Sequence, residues 1–309
     1  MKCKYCLSEK TKLLFVAENR HGRELLSQEG FEILECLNCK VTFTAVEINN
    51  GYYEKYYLDG YYNTPAYNFL IKSILAWLSN ISFHRRLQLI KQYHPKGMKI
   101  LEVGCGWGGF LHSLPKTFQK SGIEINKQAY QYIKDNYQDI EIYNTKIDNS
   151  ICSKNEFGEF DIIVMWHVFE HIDNVDSFMK GLSCLLAKNG VLILEIPNRN
   201  SLGFNLTRKF WFHLDTPRHL FFYGYEGMKI LLAKYNLKIV EYKSNAIDYF
   251  QDLAFSFYMC FAGKNPVVNG ILAVLLIPFG LIIRLLMALF VLGKAEINTY
   301  VIKKIAFNQ

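Results

Sequence analysis

The sequence predicts an α/β protein built on a doubly wound parallel sheet, with a small cysteine module before it and an apolar helical insertion near its end. Three observations lead to this fold class. From Lys99 onward, short apolar runs typical of strands alternate with segments of helical periodicity. A glycine-rich loop follows the first of these strands. Two Cys-x2-Cys pairs stand near the N-terminus, apart from the alternating region.

Composition and charge narrow the class of protein further. The chain has 309 residues, of which 50% are apolar and 20% are charged, so extensive disorder is excluded. The net charge of +7 does not by itself indicate a nucleic-acid-binding protein, and it suits an anionic membrane surface equally well. Residues 1–6 lack the apolar stretch of a signal peptide. We therefore expect the cysteines to lie in a reducing cytosol, where paired Cys-x2-Cys units favour metal over disulfides.

The two cysteine pairs predict a structural zinc site within residues 1–50. Its four ligands would be Cys3, Cys6, Cys36 and Cys39. Each pair can place two thiolates on one tight turn, and short strands predicted at 12–17 and 31–35 fit the hairpin of a zinc ribbon. Four thiolates leave no open coordination position, so the zinc would be structural; the alternative is a set of redox or unrelated thiols. The remaining cysteines, expected to be packing residues, are Cys105, Cys152, Cys184 and Cys260.

The region after the cysteine module is predicted to contain helices and then the alternating sheet. Residues 51–95 are rich in tyrosine, and segments 69–77 and 83–90 carry helical spacing, which predicts a linker with two helices. These helices would form either a lid over the next domain or a layer packed on the edge of its sheet. The predicted strands are 99–103, 120–125, 140–143, 160–165, 191–196 and 237–244. The predicted helices are one that begins near 109 and those at 127–137, 175–187 and 225–235.

The loop after the first strand has the sequence expected for binding a nucleotide. Residues 102–109 satisfy the pattern Gly-x-Gly-x-x-Gly, and Glu124 lies 20 residues beyond Gly104 at the end of the second strand. A carboxylate in that place can bind ribose hydroxyls. Glu102 stands two residues before the first glycine, where it would repel the pyrophosphate of a dinucleotide but suit a ligand with a positive end.

Three sequence motifs follow one another at suitable spacings. They are the run Glu-Val-Gly-Cys-Gly-Trp-Gly-Gly at 102–109, the segment 160–172 and the segment 185–198. The first closely resembles motif I of class I S-adenosylmethionine-dependent methyltransferases, and the others resemble the fourth-strand and fifth-strand segments of that family. The resemblance covers about residues 96–247 and implies a Rossmann-like, seven-stranded sheet. Residues 293–304 look like its last strand, which in the family forms a hairpin with the strand at 237–244.

The resemblance also implies which residues contact the cofactor. These residues are Glu102, Gly104, Cys105, Gly106, Glu124, Ile125, Asp148 and Trp166. Gly104 and Gly106 would lie under the methionine and ribose parts of S-adenosylmethionine. Glu124 would bind the ribose hydroxyls, and Ile125 would contact the adenine. Asp148 is the candidate for the adenine amino group, with a role as a loop-turn residue equally open.

Histidines cluster in two segments that the resemblance places beside the methyl acceptor. The catalytic candidates are His167, Glu170, His171, Arg218 and His219. A histidine can take the proton of a hydroxyl acceptor because its pKa is near neutral, and Glu170 would orient or polarise one of them. Residues 211–223 resemble the Asp-x-Pro-Arg-His segment of many small-molecule and sugar methyltransferases, which implies that Arg218 and His219 project toward the acceptor.

Other interpretations of these two segments stay open. His171 would instead form a helix-start hydrogen bond, and Asp215 would pair with Arg218 within its own loop. The run 167–171 also matches His-x-x-Glu-His, the signature of inverted zinc proteases, and on a helix its two histidines would share one face. Because the run follows an apolar strand in a nucleotide-binding unit, we favour the methyltransferase interpretation over a catalytic zinc site.

Residues 248–292 are predicted to be an apolar helical insertion between the last two strands. By hydropathy alone the stretch is long enough to span a membrane. Both of its ends must return to the same sheet, however, and Pro278 interrupts the helix, so a single crossing is disfavoured. We expect a re-entrant or interfacial helical hairpin with 249–262 as its other arm. The alternative is a helical pair buried in a dimer interface.

Together these features predict a membrane-associated S-adenosylmethionine-dependent methyltransferase with a structural Zn²⁺. The predicted domains are a zinc-ribbon-like module at 1–50, a helical linker or lid at 51–95, a methyltransferase core at 96–247 plus 293–309, and the insertion at 248–292. The acceptor would be a sugar, a lipid-linked glycan or another membrane-associated small molecule. The protein would lie in the cytoplasm at the inner face of the membrane, and a nucleic-acid partner is not expected.

Three other functions stay open at this point. A ribosomal-RNA methyltransferase can also carry an N-terminal zinc module, but the basic cluster at 84–86 is small and the apolar insertion opposes this function. A nicotinamide oxidoreductase is supported only by the glycine pattern and is opposed by Glu102. A non-enzymatic binding protein would need damage in the cofactor motif, and the sequence shows none apart from the poor match around Asp148.

Overall fold

Two β-sheets carry the fold. The computed structural model describes residues 1–21, 24–49, 51–57, 69–94, 98–153, 157–245, 252–262, 268–272, 274–276, 278–279, 282 and 294–305. Its strands in chain order are β1 (Thr11–His21), β2 (Glu24–Cys36), β3 (Thr42–Thr44), β4 (Lys99–Val103), β5 (Gln119–Ile123), β6 (Ile140–Tyr143), β7 (Phe160–Trp166), β8 (Leu186–Pro197), β9 (Phe221–Phe222), β10 (Leu237–Asn245) and β11 (Ile297–Lys304). Its α-helices are α1 (Tyr52–Tyr56), α2 (Phe69–Tyr93), α3 (Gly109–Ser113), α4 (Lys127–Asn136), α5 (Val175–Leu185), α6 (Leu202–Thr207), α7 (Tyr225–Ala233) and α8 (Asp252–Phe261).

The larger sheet confirms the predicted doubly wound, seven-stranded fold. Its strand order is β10-β11-β8-β7-β4-β5-β6, and the strands from β8 to β6 pair in parallel. Strand β11 lies between β10 and β8 and is antiparallel to both, so the last two strands form the expected hairpin around the insertion. The carboxyl ends of β4 and β7 are neighbours, and ligands bind at this edge of such sheets.

The smaller sheet joins the cysteine module to the rest of the protein. Its order is β1-β2-β3-β9, with every neighbouring pair antiparallel. Strand β9 comes from far along the chain, and its Phe221 pairs with Phe43 of β3. Phe43 and Phe31 of the module also belong to the same buried cluster as Leu101 of β4. The module and the seven-stranded sheet therefore share one hydrophobic core.

Helix α2 differs from the two helices predicted for its region. It runs without interruption over 25 residues, because residues 78–82, between the two predicted segments, contain neither proline nor glycine. Ile90 is fully buried, and ion pairs tie Arg85 and Arg86 to Glu195 of β8. The described side chains of α2 thus contact the sheet at β8, an inner strand, and not at its edge.

The apolar insertion begins with helix α8, which packs on the protein. The Ser256 hydroxyl of α8 accepts a hydrogen bond from the backbone N–H of Phe212. The described helical pieces within 268–279 instead expose apolar side chains, with Val274 72% and Leu275 63% exposed. Among the residues that the structure describes, no helix is both long and apolar enough to cross a membrane. Apart from Ala262 and Ile282, the other residues of the predicted insertion lie outside the described ranges.

One expectation about the cysteines is wrong. Cys152 and Cys184 form a disulfide that joins the 3₁₀ turn Asn149–Ser153 to α5. The two residues are 32 positions apart, and the packing of the turn against the helix brings their Cα atoms to 5.5 Å, within the range of a disulfide. Cys105 and Cys260 are free thiols with buried and partly buried side chains, which agrees with packing roles.

Candidate active site

Four cysteines converge at the N-terminus as the sequence predicts. The cluster consists of the sulfur atoms of Cys3, Cys6, Cys36 and Cys39, all within 4.8 Å of one another. The Sγ atoms of Cys3 and Cys39 are 3.7 Å apart, and those of Cys6 and Cys36 are 3.4 Å apart. Tetrahedral zinc with Zn–S bonds of about 2.3 Å requires sulfur atoms roughly 3.8 Å apart. The donor set and its spacing therefore fit a structural zinc ion.

The glycine loop after β4 has a backbone that other residues rarely adopt. Gly104, Gly106 and Gly108 have φ angles of 69°, 54° and 75°. A Cβ atom on Gly104 would lie 2.5 Å from the side chain of Val168, so the loop packs directly against the segment that follows β7. A Cβ atom on Gly106 would meet no described atom within 4 Å. The loop therefore presents backbone to open space, as a cradle for a ligand requires.

Glu124 fixes the glycine loop to the end of β5. Its Oε2 atom accepts a hydrogen bond of 2.8 Å from the N–H of Gly106, and its Oε1 atom accepts one of 2.8 Å from the N–H of Asn126. Burial raises the pKa of Glu124, although these backbone donors oppose the rise. Each carboxylate oxygen can accept a further hydrogen bond, which leaves capacity for two ribose hydroxyls.

Glu102 is the second carboxylate of the cofactor side, and it fits a cationic ligand. The residue is buried at the end of β4, and its Oε2 atom has no hydrogen-bond partner in the described part of the chain. Burial raises the pKa of Glu102 to about 8, with Arg86 lowering it and Glu124 raising it further. A positive group placed beside this carboxylate would satisfy it and restore its charge. The ammonium group of S-adenosylmethionine meets that requirement.

Trp166 ends β7 beside an ion-pair network that the sequence analysis missed. The guanidinium of Arg86 lies 4.3 Å from the centre of its ring. Burial opposes ionisation of Glu195, but Arg86 and Arg85 outweigh it and lower the pKa of Glu195 to about 2. The signal in the sequence was an acidic residue within the otherwise apolar strand 191–196.

The remaining cofactor candidates are Ile125, Cys105 and Asp148, and they differ in exposure. Ile125 is 52% exposed and stands beyond β5, where an adenine ring can contact it. Cys105 is buried against Gly122 within the glycine loop. Asp148 accepts a hydrogen bond from the N–H of Ser150 through its side chain and so begins a 3₁₀ turn. This geometry agrees with the loop-turn role that the sequence left open for Asp148.

The segment after β7 does not form the helix on which two histidines would share a face. His167 has a φ angle of 57°, and only Phe169–His171 form a short 3₁₀ turn. Glu170 points inward and is fully buried, and the Nδ1 atom of His167 lies 3.4 Å from its Oε1 atom. Burial disfavours the charge of Glu170, but His167 and His219 outweigh this effect and lower its pKa.

Arg218 and Asp215 lie in the loop 211–220, termed the acceptor loop because the resemblance implies that it faces the acceptor, and they bind this loop to the N-terminal sheet. The guanidinium of Arg218 is fully buried and donates to Asp215 at 2.9 Å, to the side chain of Asn19 and to the backbone carbonyl of Arg20. His21 of β1 contacts Asp215 as well, with 2.9 Å between Nδ1 and Oδ1. Burial opposes the charge of Asp215, but these neighbours hold its pKa well below its usual range. The arrangement agrees with the pairing within the loop that the sequence left open.

His219, at the end of the same loop, reaches the segment after β7. Its ring lies 4.6 Å from the ring of His171, and one potential ligand atom of Glu170 is within 4.8 Å of both rings' ligand atoms. Burial and the neighbouring His171 lower the pKa of His219 to about 4, so its imidazole is neutral at physiological pH. The structure therefore brings together four of the five predicted catalytic residues, while Arg218 lies behind them.

Three further contacts support the acceptor loop and the adjoining α6, and each involves an acidic residue, Asp252 or Glu296, that is not among the sequence-predicted site residues. His213 pairs with Asp252 of α8 at 2.6 Å, and Asp252 outweighs the effect of burial and raises the pKa of His213. Glu296, just before β11, accepts hydrogen bonds from the indole of Trp211 and from the N–H of Gly203. Asp252 of the insertion and Glu296 before the last strand thus fix the position of the acceptor loop through these contacts.

The family of the protein follows from a comparison of sequences. A sequence profile for the methyltransferase-domain family matches residues 77–242, which is more than half of the chain. The protein belongs to this family. Its cofactor is accordingly S-adenosylmethionine, which the glycine cradle and the buried carboxylate of Glu102 fit.

Individual relatives of this methyltransferase match part of the chain. The ubiquinone biosynthesis O-methyltransferase of Pelagibacter ubique is 30% identical over 109 residues, which is 34% of this chain and 44% of that protein. The cyclopropane-fatty-acyl-phospholipid synthase of Escherichia coli is 26% identical over 103 residues, which is 32% of this chain and 26% of that protein. The matches thus span less than half the length of these curated relatives.

Solved structures include similar chains. The O-methyltransferase from a trans-AT PKS multienzyme of Brevibacillus brevis, in complex with S-adenosyl-L-homocysteine, is 17% identical with a TM-score of 0.46. The match covers 78% of this methyltransferase and 81% of that chain.

Proposed function

We propose that this methyltransferase transfers a methyl group to a hydroxyl of a sugar, a lipid-linked glycan or another small molecule held at a membrane surface. One observation carries the proposal: the glycine loop packs directly against the histidine-bearing segment, through Gly104 and Val168. A cofactor in the loop and an acceptor beside the histidines would therefore meet at the same edge of the sheet.

The residues of the site would divide the work between holding the cofactor and receiving a proton. When bound, S-adenosylmethionine would supply a sulfonium methyl group: the acceptor oxygen would attack the methyl carbon in line as the carbon–sulfur bond breaks, with the electron pair of that bond left on sulfur. Glu124 would bind the ribose, and Glu102 would pair with the ammonium group. His167, whose side chain is 26% exposed, would take the proton of the acceptor hydroxyl, with Glu170 stabilising the resulting imidazolium.

Calorimetric titration with S-adenosylhomocysteine tests the cofactor assignment. We expect binding in the micromolar range and none with NADH as the control ligand. Glu124→Ala should weaken that binding without unfolding the protein, because its carboxylate holds both the loop and the ribose. Folded protein that binds NADH, or that binds S-adenosylhomocysteine equally well without Glu124, would contradict the assignment.

The insertion supports placement at a membrane. Its described helical pieces expose Val274 and Leu275, and the net positive charge of the chain favours an anionic lipid surface. We expect the protein to sediment with vesicles containing anionic lipid, and Val274→Asp with Leu275→Asp to reduce the bound fraction several-fold. The matched control is Thr145→Asp, which adds an acidic side chain far along the sequence from the insertion. If the double variant binds vesicles as well as the wild type does but no longer forms a dimer that the wild type forms in sedimentation, the dimer-interface alternative is favoured.

A further inference from the structure

Glu170, His171 and His219 form a compact group beside the proposed acceptor site. Glu170 and His171 stand in the turn after β7, whereas His219 comes from the loop before β9. One potential ligand atom of each residue lies within 4.8 Å of those of the other two. Two separate segments of the chain thus direct three electron-pair donors to one place.

The carboxylate of this group lacks the hydrogen bonds that burial demands. Glu170 is fully buried, and neither of its oxygens has a hydrogen-bond partner among the residues that the structure describes. The nearest cationic candidate, Nδ1 of His167, lies 3.4 Å from Oε1, within ion-pair distance but outside hydrogen-bond geometry. A buried carboxylate is stable when it is hydrogen-bonded, paired with a charge or bound to a metal ion.

Hydrogen bonds to backbone carbonyl oxygens orient the rings of the two histidines. The Nδ1 atom of His219 lies 2.7 Å from the carbonyl oxygen of His213, and that of His171 lies 3.1 Å from the carbonyl oxygen of Arg218. A carbonyl oxygen can only accept, so Nδ1 of His219 is the donor in its contact. The Nδ1 atom of His171 also lies 3.2 Å from the hydroxyl of Tyr57, and we assign it a proton on the basis of its contact with the carbonyl oxygen of Arg218. In the neutral rings the lone pair is then on Nε2. Histidines that bind metals are commonly held in this way, by a hydrogen bond from the nitrogen opposite the metal.

We propose that Glu170, His171 and His219 bind a divalent transition-metal ion through one carboxylate oxygen and two Nε2 atoms. Three protein ligands leave at least one coordination position open. Since His171 is partly exposed, water or an acceptor oxygen can approach that position. Two imidazoles and one carboxylate suit Mn²⁺, Fe²⁺ or Zn²⁺, in contrast to the four thiolates of the cysteine cluster.

The ligand set differs from the one that the sequence brought to attention. In a His-x-x-Glu-His helix the two histidines of the motif would be ligands together, but His167 precedes the turn with a left-handed backbone. His219, which lies 48 positions after His171 in the chain, replaces His167 as the second histidine ligand. The role of the ion in catalysis rests on the proposed methyl transfer: a metal-bound hydroxyl ionises more readily, which would direct the methyl group to oxygen.

Mn²⁺ is the probe that tests the site, because it prefers nitrogen and oxygen ligands and competes poorly for thiolates. The full chain, with zinc in the cysteine cluster and weakly held metal removed by brief chelation, is titrated with Mn²⁺ while free Mn²⁺ is followed by electron paramagnetic resonance. We expect one Mn²⁺ per chain. Glu170→Gln and His171→Gln should each lower the affinity at least tenfold, whereas His84→Gln on the exposed face of α2 should leave it unchanged.

Circular dichroism on each variant distinguishes lost metal binding from lost folding. If Glu170→Gln does not fold, the wild-type protein still tests the site. Electron spin-echo spectra of bound Mn²⁺ show nitrogen coupling when imidazoles are ligands, and bound Mn²⁺ without this coupling would overturn the proposal. The proposal is overturned if neither Mn²⁺ nor a second equivalent of Zn²⁺ binds, or if folded Glu170→Gln binds as the wild type does. Titrating the same samples with S-adenosylhomocysteine distinguishes failure of the metal proposal from failure of the proposed function. Protein that binds the cofactor product but no metal ion contradicts the metal site alone. Protein that binds the metal ion but not the cofactor product contradicts the proposed function alone.

Discussion

The two halves of the candidate site are built in different ways: the half proposed for the cofactor, with the glycine loop, Glu102 and Glu124, and the half proposed for the acceptor, with the segments 167–171 and 211–220. The cofactor half is made mainly of backbone: glycines shape the loop, and Glu124 holds it through the N–H of Gly106, only 18 positions away in the chain. The acceptor half is made of side chains from distant parts of the chain, such as Arg218 with Asn19, which are 199 positions apart. A substitution in the cofactor half should therefore alter cofactor binding alone. A substitution in any of the distant segments that hold the acceptor half should alter the stability of the protein and the geometry of that half.

Loss of the cysteine cluster should have the largest effect, because β9 ties the acceptor loop to that module. We expect Cys36→Ser to lose the proposed zinc and to lower the melting temperature by roughly 10 °C, since a structural zinc contributes directly to folding. Metal analysis and thermal unfolding measure both effects. Cys260→Ser, at a thiol outside the cluster, is the control and should keep its metal. Equal melting temperatures for the two variants would show that the module does not support the fold.

Arg218→Ala should come next, because it leaves the buried carboxylate of Asp215 without its main partner. We expect a loss of roughly 3–5 kcal/mol in the free energy of unfolding. Denaturant unfolding measures it, with Arg208→Ala on the exposed neighbouring turn as the matched control. If stability is kept while turnover is lost, Arg218 acts on the acceptor directly, as the family resemblance implies, and not through the framework.

Glu102→Gln should affect the cofactor half alone. The buried carboxyl is protonated in the free protein below about pH 8, whereas a bound ammonium group favours its charged form. The affinity for S-adenosylhomocysteine should therefore rise with pH up to about 8 in the wild type, with a proton released on binding below that pH. Glu102→Gln should bind roughly tenfold more weakly at pH 8 and lose this rise.

Calorimetry at several pH values in buffers of different ionisation enthalpy measures both quantities. Because both proteins bind the same ligand, any protonation change of the ligand itself affects the two pH profiles equally and cancels when they are compared. Parallel pH profiles for the two proteins would mean that Glu102 does not face the ammonium group.

The smallest effect should come from a single backbone position in the module. Lys40 follows the second Cys-x2-Cys pair with a φ angle of 62°, in the left-handed region that favours glycine. We expect Lys40→Gly to stabilise the protein by up to about 1 kcal/mol, and Lys40→Ala to give no such gain. Thermal unfolding of the pair checks the difference, which tests the backbone alone because both variants remove the same charge. Equal stabilities would mean that the turn relaxes without glycine.

The same contrast explains how much of the molecule could be predicted from its sequence. The seven-stranded sheet and its terminal hairpin were predictable because their strands are apolar runs separated by clear turns. Gly104, Glu102 and Glu124 could be found because a strand, a loop and the next strand fix their spacing. The partners of Glu195 and Asp252 could not, since ion pairs between distant segments leave no periodic trace. The disulfide between Cys152 and Cys184 was missed for the same reason.

Strand β9 has a consequence for how the protein is made. Its partner β3 is synthesised roughly 180 residues earlier. Until β9 has been made, the backbone N–H and C=O groups on the outer edge of β3 have no strand to pair with. Open strand edges invite pairing with other chains. The short segment Phe221–Phe222 closes that edge and at the same moment delivers His219 to its neighbours. Maturation of the acceptor half and protection of the nascent chain from mispairing are thus one event.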